Sequence, residues 1–301
     1  MQWMQISVHT SPEAEEAVAQ ILFDAGAHGV AVGSDGGAPV VTAYLAEAGP
    51  ELVAEIEGRV RALAEAGLDP GAGRVTAAAV DDEDWAESWK RHYRPLRIGR
   101  RLLVKPAWID VSADGRLVIE LDPGMAFGTG YHPTTALCLE ALEDVVRPGH
   151  MVVDVGTGSG ILGIAAARLG AAAVIAVDTE PEAVAAAREN AVRNDVARIM
   201  TVERGSTDVA RDALRRRSGD TRDISAAEGT ADVLAVNILA RVIDRLAPEL
   251  YDLLKPGGVM VAGGIIDHAA RGLIERLRTV GFVIEDERYR GEWCCLIGRR
   301  M

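Results

Sequence analysis

Residues Met151 to Asp178 constrain the chain more than any other stretch. Met151-Val152-Val153-Asp154-Val155 is an apolar run with β-branched residues. It breaks into Gly156-Thr157-Gly158-Ser159-Gly160, passes into an alanine-rich run of helix formers, and returns to Ala173-Val174-Ile175-Ala176-Val177-Asp178. Strand, turn, helix and strand in that order make a βαβ unit. The glycines let the backbone turn sharply and approach a ligand closely. Open α/β sheets bind ligands beyond the carboxyl ends of their strands, where the glycines and Asp178 are expected. An acid at that edge accepts two hydrogen bonds from ribose hydroxyls, so the unit reads as a nucleoside site.

Two nucleosides compete. Gly158, Gly160 and Gly163 fit the dinucleotide pattern G-x-G-x-x-G. They start late, however, because Gly156 already ends the strand. Asp154 also lies beside the loop, and a carboxylate there repels a pyrophosphate. S-adenosylmethionine carries no phosphate, and its methionyl part bears an ammonium and a sulfonium that a carboxylate suits. The pattern therefore favours S-adenosylmethionine over NAD, with Asp154, Gly156, Gly158 and Asp178 as candidate cofactor residues. A purely structural alternative makes Asp154 a cap for the following helix.

With 301 residues the chain suggests one large domain or two, and 49% apolar residues suffice for a substantial core. The formal charge of −13 argues against stable nucleic-acid binding, which needs a basic face, and permits a basic protein partner. Cys138, Cys294 and Cys295 are odd in number and lack zinc spacing. A reduced, cytoplasmic setting is expected, with no metal site. The first residues have no basic segment ahead of an apolar core, so no signal peptide is expected. The longest apolar run, around Ile161 to Val177, contains Arg168 and is too short to span a membrane.

From the start, Gln2 to His9 alternates as a strand. Thr10-Ser11-Pro12-Glu13 opens a helix that runs through Val18, Ile21 and Leu22 to Gly26. Strands near Gly29–Val32 and Pro39–Leu45, a helix from Pro50 to Ala66, and a strand from Arg74 to Val80 complete the order βαββαβ, a small ferredoxin-like sandwich. Acids such as Glu13, Glu51, Glu55 and Asp69 far outnumber Arg59, Arg61 and Arg74. Such a surface is solvated, or it docks a basic protein. Asp81 to Tyr93 reads as a linker helix with Trp85 and Trp89 on one face. The basic run Lys90, Arg91, Arg94, Arg97, Arg100, Arg101 and Lys105 follows. The expected division is residues 1–80, a linker over 81–100, and a second domain over 101–301.

In that second domain, Arg101–Trp108 and Leu117–Leu121 read as strands of a hairpin over the site. Asp122 to Thr135, with three glycines and two prolines ahead of a helix, reads as a shaped lid, and Pro133 suits the first turn of the helix through Leu139. That helix's amides and the Thr134 and Thr135 hydroxyls are placed to hold a carboxylate. Further on, Pro181–Asn190 and Ile199–Val202 give a helix and a strand. Asp208–Thr230 is polar and reads as a disordered surface insertion. Asp232–Val236 is a strand ending at Asn237, Pro248–Leu254 a helix, Val259–Ala262 a strand and His268–Val280 a helix. Phe282–Tyr289 with Trp293–Gly298 close as a hairpin. The whole reads as a mostly parallel sheet with an antiparallel edge strand.

Together these motifs resemble the PrmA family of ribosomal protein methyltransferases, which modifies the eleventh protein of the large subunit. The most specific stretches are Leu121-Asp122-Pro123-Gly124 through Phe127-Gly128-Thr129-Gly130, His132-Pro133-Thr134-Thr135, Asp154 through Gly160, Asn237-Ile238-Leu239-Ala240 and Glu292-Trp293-Cys294. The resemblance implies a class I, Rossmann-like S-adenosylmethionine-dependent methyltransferase domain behind a small substrate-recognition domain. It implies methyl transfer to lysine side chains and an N-terminal amine of a large-subunit ribosomal protein. Cofactor contacts carried over by it fall on Thr135, Gly156, Asp178 and Asn237. Phe127, Gly128 and Thr129 in the lid motif are further candidates. A relative that methylates lysines of an electron-transfer flavoprotein shares the catalytic motifs, so that substrate stays open, as does RNA. A monomer is expected.

Methyl transfer from a sulfonium needs nitrogen, methyl and sulfur in line, and a neutral amine. Asn237 is the catalytic candidate: its amide oxygen accepts from the amine and points the lone pair at the methyl. The plainer alternative is a turn residue satisfying backbone groups. His132 is a proton acceptor or a structural histidine.

Overall fold

The computed structural model describes residues 3–27, 30–46, 49–64, 68–80, 94–121, 132–218 and 229–301. The chain divides into two units, Met1–Tyr93 and Arg94–Met301. The expected linker helix, with Trp85 and Trp89, residues 122–131 of the lid, with Phe127, Gly128 and Thr129, and residues 219–228 of the expected insertion lie outside the described residues.

The first unit runs β1 (Trp3–His9), α1 (Glu15–Asp24), β2 (Val30–Asp35), β3 (Ala38–Ala46), α2 (Pro50–Ala62) and β4 (Arg74–Val80). The strands lie in the order β2-β3-β1-β4, with every neighbour antiparallel. That is the split βαβ arrangement expected of a βαββαβ chain. Period-two alternation sends Ile6 and Val8 of β1 and Val41, Ala43 and Leu45 of β3 inward. There they meet Val18 and Leu22 of α1 and Ile56 and Val60 of α2. The Ser11 hydroxyl accepts from the Ala14 amide at 3.2 Å, as a residue ahead of a helix should. Helix α2 stops at Ala62, short of the expected Ala66.

The second unit opens with β5 (Leu96–Ile98), β6 (Leu102–Pro106) and β7 (Leu117–Leu121), a sheet of their own in the order β5-β6-β7. Residues 96–98, expected within a basic linker, are thus a strand. The expected hairpin of β6 and β7 is corrected: the two strands are parallel. The residues between them carry the chain back to the start of the sheet, where Leu117 N–H meets the Arg101 carbonyl at 2.7 Å. Three members of the basic run pair with acids of the same unit: Arg97 with Asp114, Arg100 with Asp144 at 2.7 Å, and Lys105 with Glu120 at 3.4 Å.

The rest alternates: α3 (Pro133–Val145), β8 (Met151–Val155), α4 (Ile161–Arg168), β9 (Ala173–Asp178), α5 (Pro181–Arg193), β10 (Met200–Arg204), α6 (Thr207–Ser218), β11 (Ala231–Asn237), α7 (Ala240–Leu253), β12 (Leu254–Ile266), α8 (Asp267–Val280), β13 (Phe282–Arg290) and β14 (Trp293–Arg300). The seven strands lie in the order β10-β9-β8-β11-β12-β14-β13. One apolar core, with α3, α4 and α5, covers one face; a second, with α6, α7 and α8, covers the other. Buried on both faces, β8 and β9 read as near-continuous apolar runs. The sheet reverses direction of growth beside β8, so the carboxyl ends of β8, β9 and β11 border the crevice where such sheets bind ligands. The antiparallel strand is β14, which is inserted between β12 and β13 and is not the edge.

Two helices depart from expectation. Residues 208–218 of the expected disordered insertion belong to helix α6, and Ala210, Ala213 and Leu214 seat it on the sheet. Its spacing is helical although its composition is polar, and Arg215, Arg216 and Arg217 suit a helix C-terminus. Helix α7 begins at Ala240, so Pro248, expected to open a helix, lies inside one. A proline leaves the carbonyl four residues earlier without its N–H. Arg276 Nε supplies a donor to that Asp244 carbonyl at 3.4 Å. Among the described residues no helix is long and apolar enough to cross a membrane.

Candidate active site

The carboxyl edge of the seven-stranded sheet gathers most of the singled-out residues. Strand β8 ends in the glycine loop, whose Gly156 and Thr157 amides bond the Val177 carbonyl of β9 at 2.9 and 3.1 Å. Gly156 has a φ of +73°, and a Cβ there would fall 2.3 Å from the Ile238 side chain. Any other residue would be strained in backbone and in contact.

Asp178 closes β9 and is half-buried. Its Oδ2 accepts from the Gly158 amide at 2.9 Å, and its Oδ1 from the Glu180 amide at 3.1 Å. A carboxylate has about four acceptor positions, so both oxygens keep capacity for a ribose diol. The Gly158 bond ties this acid to the glycine loop.

Asp154 is fully buried. Its Oδ2 accepts from the Thr157 hydroxyl at 2.6 Å and from the Gly163 amide in the first turn of α4 at 2.9 Å. These are the bonds of a loop and helix cap. Its Oδ1 has no hydrogen-bond partner. Burial pushes the carboxyl up to about 6, against the pull of the Thr157 and Gly163 bonds, and the neighbouring Asp178 adds to the rise.

Asn237 is the last residue of β11. Helix α3 brings Thr134 and Thr135 against it. Gly264 of β12 donates its N–H to the Thr134 hydroxyl, so the hydroxyl proton is free to go to Asn237 Oδ1, at 2.9 Å. Asn237 Nδ2 donates to the Thr135 hydroxyl at 3.3 Å. The two threonines therefore fix which way the carboxamide faces. Its oxygen keeps one lone pair and its nitrogen one proton for anything that arrives. Gly264, also at positive φ (+73°), lies where a Cβ would be 2.2 Å from the Ile238 carbonyl oxygen. Ile238 is thus wedged between Gly156 and Gly264, and Asn237 is locked to the glycine loop.

His132 is the N-cap of α3: its Nδ1 accepts from the Thr134 amide at 3.3 Å, and its ring meets Trp293 edge-on at 4.4 Å. Burial holds its pKa below the usual histidine range. The motifs around His132, Asn237 and Trp293, far apart in sequence, converge on one sheet edge. Thr134's bonding role and the Gly263-Gly264 pair were missed from sequence. The available signal was a double glycine ending an apolar strand run, which marks close backbone approach.

A family profile described as ribosomal protein L11 methyltransferase (PrmA) matches residues 2–301. The ribosomal protein L11 methyltransferase of Pelotomaculum thermopropionicum is 41% identical over 324 residues, covering 99% of each chain. That of Geobacillus kaustophilus is 37% identical over 325 residues, again covering 99% of each. The crystal structure of ribosomal protein L11 methylase from Lactobacillus delbrueckii subsp. bulgaricus superposes with a TM-score of 0.58 at 32% identity. The match covers 69% of this chain and 100% of that one. A sheet edge that joins a glycine loop to a fixed carboxamide, on a chain matched from end to end, leads to one conclusion: this chain belongs to the ribosomal protein L11 methyltransferase (PrmA) family.

Proposed function

We propose that this chain transfers methyl groups from S-adenosylmethionine to amines of ribosomal protein L11, on lysine side chains and at the N-terminus. The observation that carries the reading is the coupling of Asn237 to the Gly156 loop through Ile238, with Thr134 and Thr135 setting the carboxamide's direction.

The residues present fit the cofactor. Asp154 offers a buried carboxylate oxygen without a partner, which suits a cationic group. Asp178 offers carboxylate capacity for ribose hydroxyls, and Gly156 keeps the loop free of a side chain. Asp154, Gly156, Gly158, Asp178, Thr135 and Asn237 would hold it, with Phe127, Gly128 and Thr129 of the lid motif as further contacts. When bound, S-adenosylmethionine supplies an electrophilic methyl on a sulfonium. The chain's own work is to orient the amine and keep it neutral. A free lysine amine has a pKa of about 10.4, so it must lose its proton by desolvation or to a base. Asn237 Oδ1, holding one lone pair free, accepts an N–H of the incoming amine and turns its lone pair toward the methyl. Alignment of this kind is worth up to about 7–11 kcal/mol in well-oriented systems.

The net charge of −13 favours a basic protein over nucleic acid as the macromolecule bound. Mass spectrometry of ribosomal protein L11 after incubation with enzyme and isotope-labelled S-adenosylmethionine tests the reading. Labelled methyls on lysine and the N-terminal amine are expected. Label on ribosomal RNA or on an electron-transfer flavoprotein instead would overturn it.

A further inference from the structure

Leu239 breaks two local rules at once. It is the N-cap of α7, with an extended backbone and no side-chain cap bond. Ser, Thr, Asp or Asn would accept from the first-turn amides there, and leucine is among the poorest choices. It is also 56% exposed, and among the described residues it is the one exposed leucine. A single exposed apolar side chain is ordinary on a protein surface. An exposed apolar side chain that also displaces a helix cap is a double cost, and such costs gather at functional sites.

The backbone at this point has no freedom to hide the side chain. Ile238 is held between Gly156 and Gly264, and the Leu239 carbonyl already accepts from the amides of Val242 and Ile243 at 2.8 and 3.2 Å. The cost falls two residues from Asn237, on the same edge of the sheet. What Asn237 is proposed to receive is an amine, and a lysine amine arrives on a stem of methylenes that needs an apolar wall.

We infer that Leu239 is a substrate-contact residue that packs on the methylene stem of the lysine whose amine reaches Asn237. The inference rests on the methyl-transfer reading and deepens it: the apolar wall favours a lysine over a shorter or more polar side chain at this site.

The test uses the full chain with two substitutions, Leu239→Ser and Leu239→Met. Leu239→Ser supplies a cap and removes the apolar contact, whereas Leu239→Met keeps the contact. For Leu239→Ser the expected result is a melting temperature at or above wild type and an S-adenosylmethionine Kd within about twofold. Its kcat/KM for lysine methylation of ribosomal protein L11 should be lower by about tenfold. Leu239→Met should stay within about twofold of wild type in all three. Unchanged kcat/KM in Leu239→Ser overturns the inference. A lowered melting temperature overturns it too, because the leucine then serves the fold. An equal loss of cofactor affinity overturns it in favour of a cofactor contact. A wild-type enzyme that leaves L11 unmethylated refutes the underlying reading as well, whereas an active wild type with an indifferent serine variant refutes this inference alone.

Discussion

At Asp154 burial and charge pull against each other. The carboxyl is pushed up to about 6, above its ordinary value of 3.8, chiefly by burial. Between those values the folded chain holds a proton that the unfolded chain has lost. This group's contribution to stability therefore falls as pH rises through that window, by at most about 3 kcal/mol. A bound sulfonium or ammonium beside Asp154 would favour the carboxylate and pull the pKa back down. Binding of S-adenosylmethionine near pH 6, where this carboxyl is about half protonated, should then release up to about half a proton, seen by calorimetry in buffers of different ionisation heat, and Asp154→Asn should abolish the release. A wild-type enzyme that binds without releasing protons does not bring the cationic part of the cofactor to Asp154. Asp178 has a different role to test. Asp178→Ala should weaken S-adenosylmethionine binding by about 1.5–3 kcal/mol for each charge-assisted hydrogen bond lost; unchanged affinity in a folded variant removes it from the ribose. Asn237 is argued through its partners. Thr134→Val removes the donor that orients the carboxamide while keeping shape, so turnover should drop roughly ten- to a hundredfold, and S-adenosylmethionine affinity should fall too because Asn237 is also placed on the cofactor. Thr134→Ser should recover most of it. Wild-type turnover in the valine variant would mean the carboxamide's direction is immaterial.

At the scale of elements, one buried side chain replaces a stretch of sheet. Asn194, just past α5, gives its Nδ2 to the Glu120 carbonyl at 2.6 Å and accepts the Glu120 amide on Oδ1 at 2.8 Å. The small sheet of β5, β6 and β7 is pinned to α5 by this pair, as a neighbouring strand would pin it. Asn194→Ala should lower stability by about 2–4 kcal/mol, because two backbone groups of β7 lose their partners. Denaturant unfolding would measure it, and a loss under about 0.5 kcal/mol would show that solvent substitutes freely. Much of this unit was legible in the chain: β8, β9 and their glycine loop are set by local composition, and β13 and β14 by alternation. What escaped were facts of tertiary origin. That β6 and β7 run parallel depends on where the long connection between them lies, which no local pattern states. Pro248 reads as a helix start until Arg276, a residue of another helix, meets the Asp244 carbonyl. Helix α6 was hidden because its apolar spacing is carried by Val209, Ala210, Ala213 and Leu214 amid charges. In the site, Asp178 and Asn237 stand out as residue types at strand ends, whereas Thr134's part depends on a Gly264 amide 130 residues away in sequence.

At the scale of the molecule, the two units have separate apolar cores. Ile6, Leu22, Val41 and Ile56 centre one, and the cores flanking the seven-stranded sheet make up the rest. The singled-out cofactor residues all belong to Arg94–Met301, and none falls in the first unit. The first unit instead carries acids in excess. Asp24 pairs with Arg59, and Glu57 with Arg61 at 3.8 Å, which leaves residues such as Glu13, Glu51, Glu55 and Asp69 to face a partner. We propose that residues 1–80 recognise the basic ribosomal protein while the second unit performs the chemistry. A polypeptide running from Arg94 to Met301 should then bind S-adenosylmethionine with an affinity within about threefold of the full chain, a difference under about 0.7 kcal/mol. It should lose most methylation of intact ribosomal protein L11, and retain some on short lysine peptides at high concentration. Near-ultraviolet circular dichroism and a cooperative melting transition establish that this polypeptide is folded. Salt separates recognition from chemistry further. If the acids of the first unit steer the basic substrate, raising ionic strength should lower kcat/KM of the full chain on L11 more than that of the shortened chain on peptides. A folded Arg94–Met301 polypeptide that methylates intact L11 at the full-length rate would remove the recognition role from residues 1–80.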